Sequence, residues 1–398
     1  MFKTLTLLWG DPALRIASAA VFLFGCLVAS IAPFMSVLAI ERFGLSDAGY
    51  GALLLVSSVV AVLGSIGIGI LTDQTAARRK IIQFTIGLAL FGNILVWCWP
   101  SKGTFIAAHG FIIPLASTLF GQVFVLARLA SQRFEPAHRD GILSAVRALF
   151  AVPFVVILPL WAVALRQGID LLHVYFVIIL CCLAMLLLFL FFWPDGAGWN
   201  EGKSGQGFGA SLGEVVNPKV LTRLAATGAI NAGSIMYMIV LGLSFEQLPN
   251  RDLGDVALFA GIVAGLEVPV MLSMGLILRH ITRLQAIMLG AAIHGGFMIS
   301  FPFAAASPSV WIMTIPLALG HGIILTLPLA YLQDLMGARA GAGGALISLQ
   351  KVAADGISAA LFAAATWLAG YGLAAALAGG ATILGALSLI WLDAKQSR

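Results

Sequence analysis

The chain has 398 residues, of which 61% are hydrophobic and only 10% charged, with a net charge of +5. An ordinary soluble domain carries roughly 25% charged residues, so this composition and a mean hydropathy of +1.03 exclude a soluble globular enzyme, a disordered chain and a disulfide scaffold. They predict an all-α polytopic membrane protein, because uninterrupted apolar runs such as 183–192 belong to helices in lipid and a membrane barrel would alternate.

A span needs roughly 20 apolar residues. In chain order, the runs predict helices near 15–40, 50–71, 81–99, 104–130, 141–165 and 171–193. Six more follow near 220–244, 255–278, 284–303, 310–334, 340–368 and 371–392. The first run is too long for the apolar core of a signal peptide and is expected to stay as the first span. The one long connection, 194–219, is rich in glycine and mixed charge, as flexible linkers are. It divides the chain into an N-terminal bundle at 1–193 and a C-terminal bundle at 220–398. Twelve transmembrane helices in two pseudo-symmetric six-helix bundles are therefore expected.

Lysine and arginine set the orientation. With twelve spans, the side carrying both termini holds fifteen of them, against Arg42, Lys102, Arg166 and Arg251 opposite. Both termini are expected to be cytoplasmic. The bases cluster at span ends, which speaks for topology rather than a nucleic-acid partner. The four cysteines, Cys26, Cys98, Cys181 and Cys182, lie in apolar runs without metal-ligand spacing, so no metal and no cofactor is expected. No G-x-x-x-x-G-K-[ST] phosphate loop occurs, and no converging catalytic set suggests an enzyme.

After the second span the chain reads Gly69-Ile70-Leu71-Thr72-Asp73, then Arg78-Arg79-Lys80. With two six-span halves and a central linker, this resembles the G-x-L-x-D-x-x-x-x-R-R/K loop of the major facilitator superfamily. The second-half counterpart, Gly275 to Arg279 and Arg283, keeps the glycine and bases but lacks the acid. Within that superfamily, Ala264-Gly265-Leu266-Glu267-Val268-Pro269-Val270-Met271 resembles the A-G-L-E-I-P-x-M of bacterial sugar efflux transporters. Gln333-Asp334-Leu335-Met336 with Arg339-Ala340-Gly341-Ala342 resembles their Q-D-L-M-x-x-R-A-G-A. Ala32-Pro33, Leu126-Ala127-Arg128 and Val146-Arg147-Ala148 match as well. The family's fifth-span Gly-Pro-Pro is replaced here by Ile157-Leu158-Pro159, after Pro153. The resemblance implies alternating access, a bacterial inner-membrane location, a monomer, and efflux of sugars or related small polar solutes in exchange for protons. Export or import of another small molecule, such as a drug, siderophore or amino acid, stays open.

Ionisable residues inside spans are costly and mark function by default. Glu267 and Asp355 lie deep, with Arg147 and Lys351 as the bases. On the eleventh span, Ser348, Lys351, Asp355, Ser358 and Phe362 follow at steps of three and four, so they share one face. Lys351 and Asp355 are candidates for a gate or a hydroxyl-binding pair, or only for a local ion pair. Glu267 is a candidate proton carrier. In the architecture that the resemblance implies, it is also a partner for Arg147 across the two halves. There, spans one, four, seven and ten line the central cavity. Gln122, Asn231, Tyr237, Thr314, His321 and Ser348 are then substrate-binding candidates, with Tyr237 able to stack on a sugar ring. His294 and His321 read as single histidines, the usual kind being a satisfied core group. Prolines such as Pro33, Pro114 and Pro153 mark possible kinks.

Overall fold

The structure is a computed structural model. It describes residues 7–75, 77–193, 218–335 and 340–396, with Gly69, Asp73 and Ser348 among those described as backbone alone. The linker expected at 194–219 therefore lies outside the described residues except at its end. The described residues are helical, and twelve long helices follow in chain order. They are α1 Pro12–Ile31, α2 Asp47–Thr75, α3 Arg78–Cys98, α4 spanning Lys102–Ser131, α5 Pro136–Arg166 and α6 His173–Phe191. The second six are α7 Pro218–Glu246, α8 Leu253–Ile277, α9 Arg283–Ala304, α10 Thr314–Leu335, α11 Ala340–Leu368 and α12 Tyr371–Gln396. Eleven stretches among the described residues are long and apolar enough to cross a membrane, and α11 is a further helix of 29 residues.

Local chemistry sets several helix starts. The Asp11 carboxylate accepts the Leu14 N–H at 2.9 Å and Pro12 opens the first turn. Ser101 with Thr104, Asp252 with Asp255, and Thr282 with Gln285 form reciprocal caps at α4, α8 and α9. Inside the helices, hydroxyls mostly bond their own backbone. Thr85, Thr227 and Thr382 each donate to a carbonyl one turn back. Of the three, Thr85 also reaches the Gln122 side-chain oxygen of α4, at 3.5 Å.

Two helices depart from the continuous reading. Beyond Ile31, α1 passes through a tight 3-10 turn at Ala32–Phe34, a short turn at Met35–Val37, and a wide π turn at Leu38–Arg42. Pro33 lacks an N–H and cannot continue the ladder. In α4, a π turn at Ala108–Ile112 precedes Pro114, and the helix restarts at Thr118. His109 of that turn is buried and paired with the Tyr175 hydroxyl of α6 at 2.8 Å.

Packing divides the chain into two compact units. Among the described residues, one comprises those of 7–32 and 59–193, the other those of 33–58 and 218–396. The core of the first gathers Leu14, Ala17, Ile82, Ile86, Val123 and Met185. The core of the second gathers Ile230, Ile287, Ala291, Ile323, Ile324 and Leu389. In the second unit α7 packs extensively on α11 and α12, and α9 packs on α10 and α12. Residues 33–58 join that unit through named contacts. The Ser36 hydroxyl donates to the Ile239 carbonyl at 3.0 Å, and the Tyr371 hydroxyl donates to Asp47 at 3.1 Å. The Phe362 ring stacks on Tyr371 and takes Tyr50 edge-on.

Candidate functional site

The densest group of buried ionisable side chains in the second unit sits where α7, α8, α9 and α10 converge. Glu267 comes from α8, 14 residues after Leu253, and His321 from α10, seven residues after Thr314 and 13 after Pro308, where the preceding 3-10 turn begins. The two helices run in the same sense and pack together, so the side chains meet at one depth. Nδ1 of His321 lies 2.5 Å from Oε1 of Glu267, with side-chain exposures of 6% and 12%. A buried carboxylate is tolerated when it is paired, and here the partner is itself titratable.

His321 is enclosed on its other sides. The His294 ring of α9 stacks on it, with centroids 5.4 Å apart and planes 23° from parallel. The Tyr237 ring of α7 meets it at 5.5 Å and 65°. Two glycines make the room. A Cβ at Gly320 would stand 2.6 Å from the His294 backbone nitrogen. One at Gly233 would stand 2.0 Å from the Thr382 hydroxyl and 3.2 Å from His294 Nε2. The helices therefore approach closely enough to press the two imidazoles together.

Hydrogen bonding in this group is incomplete. Nε2 of His321, both ring nitrogens of His294, the Tyr237 hydroxyl and the neighbouring Ser234 hydroxyl are buried and make no hydrogen bond. Each such atom costs on the order of 1–3 kcal/mol relative to a satisfied one. A phenylalanine or leucine would fill the same volume without that cost.

The chemistry open to the pair follows from its atoms. With Glu267 ionised and His321 neutral, Nδ1–H donates to the carboxylate and the pair carries one negative charge. One added proton makes it neutral overall, either as carboxylic acid and imidazole or as carboxylate and imidazolium. The pair can thus load and unload a proton without leaving a net positive charge in an apolar core. Among the described residues, no three His, Cys, Asp or Glu side chains are placed to hold a metal ion.

The remaining candidates are distributed elsewhere. Asn231 is half-buried on α7, on the face that carries Thr227, Ser234 and Tyr237. Thr314 is buried in the first turn of α10, where its hydroxyl donates to the Trp311 carbonyl at 2.6 Å. It stands two turns, roughly 10 Å, from His321. Lys351 and Asp355 of α11 pair at 2.6 Å, with Asp355 5% and Lys351 59% exposed. Ser358 and Phe362, further along that face, are buried, and the Ser358 hydroxyl donates to the Ala232 carbonyl. The Ser348 side chain lies outside the described residues.

In the first unit, the Gln122 amide donates to the Thr118 hydroxyl at 2.9 Å, one turn back. Arg147 is exposed on α5, whereas Glu267 takes its hydrogen-bond partner from α10 of its own unit. Arg78 is half-buried at the start of α3. Arg79 donates to the Leu190 carbonyl at 2.7 Å and lies over the Trp193 ring, tying α3 to the end of α6. Gly69 and Asp73 are described as helical backbone of α2 only.

Two features were not singled out from sequence. One is His294 as a neighbour of His321. The other is Arg223, whose guanidinium is 5% exposed and bonds Asp393 at 2.7 Å, the Tyr331 hydroxyl at 2.9 Å and the Leu392 and Lys219 carbonyls. It joins α7, α10 and α12. A buried arginine needs such partners, and its position early in the seventh span was the available signal.

The sequence profile of the Major Facilitator Superfamily matches residues 17–354. The chain belongs to that superfamily. It is 24% identical over 254 residues to a Deinococcus radiodurans protein named "Putative sugar efflux transporter", covering 64% of this chain and 65% of that one. The match thus spans a little under two thirds of that relative's length. It is 24% identical over 334 residues to sugar efflux transporter A of Escherichia coli, covering 82% of each. A crystal structure of a mutant of the nucleoside transporter NupG superposes with a TM-score of 0.77 at 11% identity, covering 96% of this chain and all of that one. The protein is therefore a multi-pass membrane transporter rather than an enzyme.

Proposed function

We propose that this transporter exports sugars or related small polar solutes in exchange for protons, with the Glu267–His321 pair as the proton-carrying site. The observation that carries the proposal is the buried carboxylate–imidazole hydrogen bond. Its two groups can take one proton and become neutral overall, which is the minimum device for coupling. The substrate class rests on the two sugar efflux relatives. It also fits the amide and hydroxyl candidates Gln122, Asn231 and Tyr237, which suit a neutral polyhydroxylated solute. Arg147 and the Lys351–Asp355 pair are the gating candidates. The chain sits in a bacterial inner membrane as a monomer with both termini cytoplasmic, the orientation that its Lys/Arg bias favours.

Everted inner-membrane vesicles test the reading. Respiration acidifies their lumen, so a solute–proton antiporter accumulates labelled sugar inside while protons leave. Accumulation of glucose, lactose or another mono- or disaccharide that collapses on adding a protonophore is the expected result. No movement of any such sugar, with the protein present in the membrane, would overturn the substrate class.

A further inference from the structure

A core histidine with two unsatisfied ring nitrogens needs an explanation beyond packing. His294 is fully buried beside the Gly233 main chain, and neither ring nitrogen makes a hydrogen bond of good geometry. The same helices that bring it there give up side chains to do so, at Gly233 and Gly320. It is pressed face to face on the one imidazole that holds Glu267. On that imidazole, Nδ1 is engaged by the carboxylate while Nε2, the only other nitrogen, is also without a partner. Three unpartnered imidazole nitrogens thus occur in two adjoining rings. The titratable groups in contact here are Glu267 from α8, Tyr237 from α7, His294 from α9 and His321 from α10. From α12 the neighbour is the uncharged Thr382.

We infer that His294 is a second proton-holding base, to which the Glu267–His321 pair passes its proton. This rests on the proton-coupled reading above and deepens it by giving the proton a route. The route begins at Glu267, the more exposed end of the chain of groups, and ends at His294, the deepest. In the first step Glu267–COOH gives its proton to Nδ1 of a His321 whose own proton sits on Nε2, leaving a carboxylate and an imidazolium; the ring must return to that Nε2–H tautomer before it takes another proton. In the second, Nε2–H of that imidazolium passes to a ring nitrogen of His294. His321 is left neutral with its proton on Nδ1, hydrogen-bonded to Glu267. One proton has moved, no electron has, and the cluster keeps one negative and one positive charge. Stacked rings do not hydrogen-bond face to face, so the second step requires one ring to turn edge-on. The stack is the resting arrangement between transfers. Two imidazolium rings in contact inside an apolar core would repel strongly, so the two histidines hold one proton between them.

The test needs no knowledge of the solute. The wild-type protein, labelled with 15N-histidine and placed in lipid nanodiscs, is titrated by NMR, with the His294 and His321 signals assigned from H294N and H321N. The expected result is a single transition in which the ring nitrogens of both residues move part-way towards the imidazolium position, as a shared proton requires. A His294 that stays neutral while His321 titrates would overturn the inference, as would two rings that titrate independently to full charge. Transport separates this from the wider proposal. H294N should lower gradient-driven uptake tenfold or more relative to its own solute exchange measured without a pH gradient. Loss of exchange together with driven uptake, or loss of neither, counts against a relay. If E267Q loses driven uptake while H294N keeps it, the relay alone falls. If E267Q keeps it too, the proton reading of the whole site falls.

Discussion

Gly320 offers the sharpest check on how the site is built. A methyl group there would stand 2.6 Å from the His294 backbone nitrogen, 2.9 Å from the Gly290 carbonyl oxygen and 3.0 Å from the His294 Cα. All three atoms are main chain of α9, so no side chain can swing away. The helix must retreat by roughly 1 Å to restore an ordinary carbon contact of about 3.5 Å. Overpacking of this kind costs about 1–3 kcal/mol. Replacing glycine by alanine in a helix returns about 1 kcal/mol. The net expectation for G320A is a loss of about 1–2 kcal/mol. Gly121 is the control, since a Cβ there meets nothing within 4 Å, and G121A should equal or exceed wild type. Thermal unfolding of the purified variants in detergent, followed by intrinsic fluorescence, ranks them. The retreat of α9 also separates His294 from His321, so G320A should reduce gradient-driven transport more than exchange. A G320A protein as stable as wild type, with unchanged coupling, would refute the claim that α9 and α10 meet backbone to backbone here.

Two further outcomes follow from the ion pairs. Removing Lys351 leaves the buried Asp355 carboxylate without its 2.6 Å partner. K351M should cost about 1–2 kcal/mol, well below a fully buried pair because the lysine is largely exposed. The double variant K351M/D355N should recover most of that loss in a double-mutant cycle. At the far end of the unit, D393N removes the charge partner of the buried Arg223 guanidinium and should cost about 1–3 kcal/mol. Y331F removes two hydrogen bonds of that network, the one accepted from Arg223 and the one donated to Asp393, but no charge, and should cost about 1–2 kcal/mol. Chemical denaturation of the three proteins gives the order.

The fold was legible because lipid as a solvent leaves a coarse signal. The apolar runs placed all twelve helices, most ends falling a few residues from those observed, as for 255–278 against Leu253–Ile277, while the regular α-helix of the first run stops at Ile31 rather than 40. What pattern did not reveal were the π turns at Leu38–Arg42 and Ala108–Ile112. Their prolines marked the place, but the local winding depends on neighbours such as Tyr175. Of the stripe read on α11, Asp355, Ser358 and Phe362 are buried while Lys351 is exposed, and the Ser348 side chain lies outside the described residues.

The Glu267–His321 contact joins residues 54 positions apart on two separate helices, and periodicity along either helix says nothing of the other. A usable signal did exist. Both residues fall at nearly the same count from the starts of parallel even-numbered spans, and a buried acid needs a partner. His294 was harder to see, because its place is made by glycines on two other helices rather than by anything in its own span.

If Glu267 carries the coupled proton, E267Q must abolish coupling. The amide keeps the size of the side chain and can still hydrogen-bond His321, but it cannot accept a proton. In proteoliposomes carrying an internal pH indicator, the wild-type protein should move protons when sugar is added, and E267Q should not, while sugar exchange without a gradient persists in both. Sugar-driven proton movement of wild-type size in E267Q would contradict the account.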